Sequence, residues 1–299
     1  MKPINKPINI RELALFEAGT EINLLPVIEK ELIHYDILRA MSEGAFLEKL
    51  CFQGGTSLRL CYGSLRYSED LDFTGGLHFS AVEMQHLKQC IEDNLSSKYG
   101  LSVEVKEPKE KSTEGVNIST WQVKVITAPQ QKHISAQKIK IEVANIPSHT
   151  KQTVQLIENY ELVSGAPILI NVQSREEIMV DKLLALPMSV KNIRHRDIWD
   201  LNWLVSRGIT PALELLDKKV KDYTAIHYIQ HLRDRIDSLP GIVNGEDFMN
   251  QMSRFLKKDT IDKTVGRPEF RTSMIETVNQ LLSSAFEERT LSLRAFACE

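Results

Sequence analysis

The chain has 299 residues, 42% of them hydrophobic and 26% charged, which is globular material sufficient for one large core or two domains. A formal net charge of -3 gives no global basic signal, so a nucleic-acid partner would have to be held by a local patch. The four cysteines, Cys51, Cys61, Cys90 and Cys298, show neither Cys-x-x-Cys spacing nor a paired framework; they read as reduced thiols of a cytosolic protein, with Cys51 and Cys61 in the core.

No apolar run approaches the about 18 residues that a bilayer crossing needs, and the opening Met-Lys-Pro-Ile-Asn-Lys-Pro lacks a signal-peptide core. The expectation is a cytoplasmic protein, neither exported nor membrane-spanning. There is no repeat of fixed period and no low-complexity tract.

Residues 8–50 read as helical. A short amphipathic segment carries Ile10, Leu13, Ala14 and Leu15 and ends at Gly19. Pro26 suits the first turn of a longer helix to about Met41, with Ile28, Leu32, Ile37 and Leu38 as its buried stripe. Residues 47–52 then make a strand-like approach that breaks at Gly54-Gly55, followed by a helical turn over 56–61 and a second break near Gly63.

Asp70 and Asp72 follow at i, i+2, so in a strand both carboxylates point one way while Leu71 and Phe73 point toward a core. Two like charges this close repel unless a cation or a basic group lies between them. A bare Asp-x-Asp would read as a solvated strand end, but this one has a helix start behind it. The N-H groups there, with the Thr56 and Ser57 hydroxyls, form a ready anion site, and a triphosphate bridged by Mg²⁺ to the carboxylates would use both halves.

Past Gly75-Gly76, Ser80 can cap a helix to about Tyr99 that turns Val82, Leu87, Ile91 and Leu95 inward, and Gly100 closes it. Three strand-like runs follow, over 101–105, 116–126 and 136–143; the second alternates through Trp121, Val123 and Val125, the third through Ile139, Ile141 and Val143. Lys138, Lys140 and Glu142 lie on the opposite face of the third run. That face is either solvated or, if the strand neighbours the one bearing Asp70 and Asp72, a source of a third carboxylate in Glu142.

Residues 145–166 carry few regular signals beyond 153–157, residues 168–172 after Gly165-Ala166-Pro167 are a short strand candidate, and a domain junction is expected near there because everything beyond reads as helix. Ser174 and Glu177 form a capping box for a helix ending before Pro187, in which Lys182 lies inside an apolar stripe. A buried lysine should meet an anion, either in a structural ion pair or on a phosphate.

The next helix, 193–207, ends at Gly208 with Ile198, Leu201, Leu204 and Val205 inward. Asp197 and Asp200 share one edge, where Arg196 could pair with Asp200 at i, i+4. Lys191, Arg194, His195 and Arg196 cluster before it, either to meet phosphate or as solvated loop charges. From Thr210-Pro211 onward four or five helices are expected, with breaks at Pro240-Gly241, Gly245 and 266–268. The second basic stretch, Lys257, Lys258, Lys263, Arg267 and Arg271, is interrupted by acids. His227 and His231 lack an adjacent carboxylate motif and read as a solvated helix face.

Gly54-Gly55-Thr56-Ser57, a helix, and Arg66-Tyr67-Ser68-Glu69-Asp70-Leu71-Asp72-Phe73 resemble the AbiEii/AbiGii (MenT-like) toxin branch of the DNA polymerase β-type nucleotidyltransferases. The gap between glycines and acids is slightly longer than usual in that superfamily but suits this branch. Lys182-Leu183-Leu184-Ala185 and Arg196-Asp197-Ile198-Trp199-Asp200-Leu201 match the branch's Lys-x-x-Ala and Arg-Asp-x-x-Asp positions. The likeness is strong over residues 46–74, moderate over 175–205 and weak elsewhere.

The resemblance implies an α+β fold: a polymerase β-type mixed sheet flanked by helices over 1–170, then a helical domain over 171–299 that completes the active-site cleft. It implies Asp70, Asp72, Lys182 and Asp197 as catalytic, with Asp70, Asp72 and Glu142 holding two Mg²⁺ ions. Gly54, Gly55, Thr56, Ser57, Arg66 and Lys182 would seat the NTP. Whether Asp200 takes part stays open. The implied biology is a toxin of a toxin-antitoxin or phage-defence pair that transfers NMP to a nucleic acid such as the tRNA 3′ end, with a cognate antitoxin as partner. Two other readings stand beside it: nucleotidylation of a protein or small molecule, and a non-catalytic nucleotide-binding module.

Overall fold

The structure, a computed structural model, describes residues 9–109, 116–131, 133–160 and 166–297, with main chain only at 295–297. The expectations for Cys298, Gly165 and the first seven residues lie outside the described residues. The chain divides into two compact units, Met1–Val172 and Gln173–Glu299. Its class is α+β, with a mixed seven-stranded sheet and a helical C-terminal region.

The first unit opens with α1 (Ile10–Ala18), capped by the Asn9 side chain, and α2 (Leu25–Glu43), with Pro26 in its first turn. Residues expected to lead into the first strand form a 3-10 turn instead (Leu47–Lys49), so β1 is only Cys51–Gln53. After it come α3 (Gly54–Tyr62), β2 (Leu71–Thr74) and α4 (Leu87–Tyr99). The strands β3 (Val103–Lys106), β4 (Ile118–Val125), β5 (Gln137–Ala144), β6 (Lys151–Gln155) and β7 (Leu169–Gln173) complete the set.

The sheet order is β3-β4-β5-β2-β1-β7-β6, with β2 parallel to β5 and antiparallel to β1. Alternation sets its faces: Trp121, Val123, Ile139, Ile141, Val143, Leu71 and Phe73 are buried together on the core side, where Phe52 stacks on Phe73 at 4.9 Å.

Other parts of this unit depart from expectation as well. Ser80 caps only a short 3-10 turn (Ala81–Met84), and the chain restarts at His86, whose φ is +77°, so Val82 is 72% exposed rather than in the core. Helix α2 buries its expected stripe, but its polar side is buried as well, because α1, α4 and the sheet pack around it. Each buried charge there is met: Glu29 by Arg11 and Gln137, Glu31 by Arg59 and Asn159, Asp36 by Lys98 and Tyr99. A buried carboxylate without such partners would cost on the order of several kcal/mol, which is why each of these acids is buried together with a partner.

The second unit is helical: α5 (Arg175–Met188), α6 (His195–Ser206), α7 (Leu216–Asp222), α8 (Tyr228–Asn244), α9 (Glu246–Phe255), α10 (Lys258–Lys263) and α11 (Pro268–Ala297). Three boundaries differ from expectation. Helix α5 runs through Pro187, α8 runs through Pro240-Gly241 with Pro240 exposed, and Thr210-Pro211 precede a 3-10 turn rather than capping a helix. Val205, expected in the core, is 36% exposed. Among the described residues no helix is long and apolar enough to cross a membrane.

Candidate active site

The Gly-Gly turn belongs to the helix. Gly54 opens α3 at φ +77°, and Gly63 closes it in the left-handed region. A β-carbon on Gly54 would stand 2.8 Å from Asp72 Oδ2, and one on Gly55 would collide with the Arg66 guanidinium. The absence of side chains at both positions therefore lets the start of α3 lie directly against an aspartate on one side and a buried cation on the other. The Thr56 and Ser57 hydroxyls are buried and donate to the carbonyls of Asp70 and Gly54, so this turn offers a phosphate its main-chain N-H groups. Arg66 is 2% exposed and donates to the Tyr67 carbonyl at 2.7 Å, so its charge stands behind the turn rather than at the surface.

Asp72 lies in β2 in register with Glu142 of β5 on one side and Gln53 of β1 on the other. Paired residues project from the same face, so Asp72 and Glu142 share the face opposite Leu71 and Phe73. Asp70 lies just before β2 rather than in it, and its Oδ1 accepts from the Lys140 N-H at 3.1 Å. Glu142 has Lys140 Nζ at 3.7 Å. Among the described residues no three His, Cys, Asp or Glu side chains are already gathered as a metal cage. The donor set still suits Mg²⁺, which is commonly held by one or two carboxylates together with water and substrate phosphate. Asp70 and Asp72 would be its ligands, with Glu142 beside them.

The other predicted residues belong to the second unit. Lys182, 4% exposed, meets two carboxylates of α6, Asp197 Oδ1 at 2.7 Å and Asp200 Oδ2 at 2.7 Å. Arg194 pairs with the second oxygen of Asp197. Burial alone would raise the Asp197 carboxyl, but Lys182 and Arg194 hold it well below the usual carboxylate range. The anion that the buried lysine required is thus a pair of aspartates three residues apart. Arg196 lies over the Phe255 ring at 4.7 Å.

Sequence reasoning missed a neighbouring cluster on the same helix. Lys219 of α7 is fully buried against Glu177 at 2.6 Å and Asp181 at 3.0 Å. Ser174 caps α5 by accepting from the Glu177 N-H at 3.2 Å, and the Glu177 carboxylate meets Lys219 and Gln173. The i, i+4 spacing of Glu177 and Asp181 was the available signal, but nothing in the sequence ties it to Lys219.

A family model described as nucleotidyl transferase AbiEii toxin, type IV toxin-antitoxin system, matches residues 36–276. The chain belongs to this AbiEii toxin family. Membership makes it a nucleotidyltransferase of a type IV toxin-antitoxin system at the level of the family. No curated protein matches it. Among solved structures it is similar to JHP933 from Helicobacter pylori, at 17% identity over 91% of this chain and 97% of that one, with a TM-score of 0.43. A second H. pylori structure, described as a candidate nucleotidyltransferase, is similar at 17% identity over 87% and 97%, with a TM-score of 0.44. The AbiEii match takes in Asp70, Asp72, Glu142, Lys182, Asp197 and the start of α3.

Proposed function

We propose that this AbiEii-family chain transfers a nucleotidyl group from an NTP to the 3′ end of a tRNA in the cytoplasm, releasing pyrophosphate. One observation supports the chemistry above the others: the N-terminus of α3 lies directly against Asp72, whose register partner is Glu142. An anion-binding helix start adjoining a carboxylate pair is what a metal-bound triphosphate needs. The tRNA acceptor and the part played by a cognate antitoxin follow from the family resemblance.

In the reaction the acceptor hydroxyl oxygen forms a bond to the α-phosphorus, the bond from that phosphorus to the pyrophosphate oxygen breaks, and the hydroxyl proton passes to solvent water. Magnesium, when bound, lowers the pKa of that hydroxyl and offsets charge on the leaving group. Asp72, in β2, and Asp70, just before it, would supply oxygen ligands. The N-H groups at Gly54, Gly55 and Thr56 orient phosphate oxygens, with the Arg66 charge behind them to favour an anion. Lys182 and Asp197 take the catalytic support roles that the resemblance implies.

Incubation with each labelled NTP in turn, in separate tRNA, protein and metabolite pools, tests the assignment. Label should enter the tRNA pool, and Asp72→Ala should abolish transfer while leaving the thermal unfolding curve in place. Label in the protein or metabolite pool would replace the acceptor. Undiminished transfer by the folded Asp72→Ala variant would overturn the catalytic assignment.

A further inference from the structure

We propose that His34, on α2, is a positioning residue that sets the orientation of Asp70. The inference rests on the reading of Asp70 and Asp72 as metal-binding acids.

Residues 63–70, which lead into β2, form neither helix nor strand. Their carbonyls therefore have no ladder to join and turn to other partners, side chains among them. The structure shows which side chains do so. Arg59 donates to the Ser64 carbonyl at 3.0 Å, Arg66 to that of Tyr67 at 2.7 Å, His34 Nε2 to that of Glu69 at 2.9 Å, and the Thr56 hydroxyl to that of Asp70. The last two hold consecutive peptide units, Glu69-Asp70 and Asp70-Leu71, from two different helices. Lys30, one turn before His34 on α2, adds a second grip on Glu69 through its carboxylate at 2.7 Å. The backbone at Asp70 is thus fixed on both sides before its carboxylate reaches the Lys140 N-H.

His34 is an expensive way to fill this place unless the hydrogen bond matters. It is fully buried, and because the Glu69 oxygen can only accept, Nε2 must carry the hydrogen. The other ring nitrogen, Nδ1, is then a buried acceptor without a hydrogen-bond partner among the described residues. Burial pushes the imidazole down to about 4, against the opposing pull of Glu31 and Glu69, so the ring stays a neutral donor at physiological pH. A leucine would fill the same space without stranding a nitrogen. What it could not do is donate to Glu69.

Mn²⁺ binding, followed by titration calorimetry on the full chain, tests this in wild type, His34→Leu, His34→Gln, His34→Asn and Asp72→Ala, with thermal unfolding in parallel. Glutamine places an amide N-H where Nε2 stands; asparagine is one carbon too short. His34→Leu and His34→Asn should weaken Mn²⁺ about tenfold or more, the usual consequence of losing a group that orients a ligand, and His34→Gln should restore most of the affinity. The leucine and asparagine variants should also need a correspondingly higher metal concentration for half-maximal transfer.

If His34→Leu fails to fold, the contrast between glutamine and asparagine carries the test alone. Equal Mn²⁺ affinity in those two variants, with Asp72→Ala still abolishing binding, would overturn the positioning role while leaving the acid site intact. Equal affinity in wild type and Asp72→Ala would remove the acid site and the His34 inference with it.

Discussion

Gly54 shows how much a single position can depend on having no side chain. Its φ of +77° strains any L-residue, by about 1–2 kcal/mol for a left-handed backbone, and a β-carbon there would also press on the Asp72 carboxylate. Gly63, at the other end of α3, shares the strain at φ +73° but has only Ile157 Cδ1 nearby, at 3.8 Å. The two glycines therefore separate strain from site geometry. Both Gly54→Ala and Gly63→Ala should lower stability by a similar amount in urea unfolding, while only Gly54→Ala should cut nucleotidyl transfer by more than about tenfold, because it alone displaces an acid. Equal loss of transfer in the two variants would show that the helix as a whole, not its contact with Asp72, governs activity.

At the scale of elements, α5 is tied to its neighbours by charge of both signs. Its Lys182 is held by Asp197 and Asp200 of α6, and its Glu177 and Asp181 hold Lys219 of α7. Removing one member of such a buried cluster leaves the rest uncompensated, and Lys182→Met should cost about 3–5 kcal/mol in urea unfolding. Adding Asp200→Leu should recover part of that loss, since it removes one of the stranded carboxylates. Full stability in Lys182→Met combined with lost transfer would instead place the ammonium on the substrate. The same logic explains α2. Its Glu29, Glu31 and Asp36 are buried with matched partners, so this helix acts as an internal post rather than a surface cover.

For the molecule as a whole, two aspartates give stability opposite dependences on pH. Asp197 is held below its ordinary value of 3.8, so its contribution is present above that pH and fades as pH falls below it. Burial, opposed by Lys219 and reinforced by Glu177, pushes Asp181 up to about 6. Between 3.8 and about 6 the folded chain then holds a proton at Asp181 that the unfolded chain has lost, so this group's contribution falls as pH rises through that window. Urea unfolding of wild type and Asp181→Asn from pH 4 to 7 isolates the effect. Wild-type stability should decline relative to the variant between about pH 4 and 6 and run parallel to it above that range. A constant difference across the series would show that Asp181 does not titrate there.

Much of the local structure around the candidate site was legible because its signals are local. Two adjacent glycines before a helix and alternation through Trp121 to Val125 each follow from backbone geometry over a few positions and led to the right kind of element, whereas of the acids two residues apart only Asp72 lies in the strand. The buried lysine was also legible, since its place in an apolar stripe demanded an anion. What only the tertiary structure decided were the pairings across the chain: Glu142 in register with Asp72, Lys182 with Asp197 and Asp200, and His34 on the Glu69 carbonyl. These depend on which surfaces desolvate one another, and a charge's cost or benefit is set by that desolvation, which residue spacing along the chain does not encode.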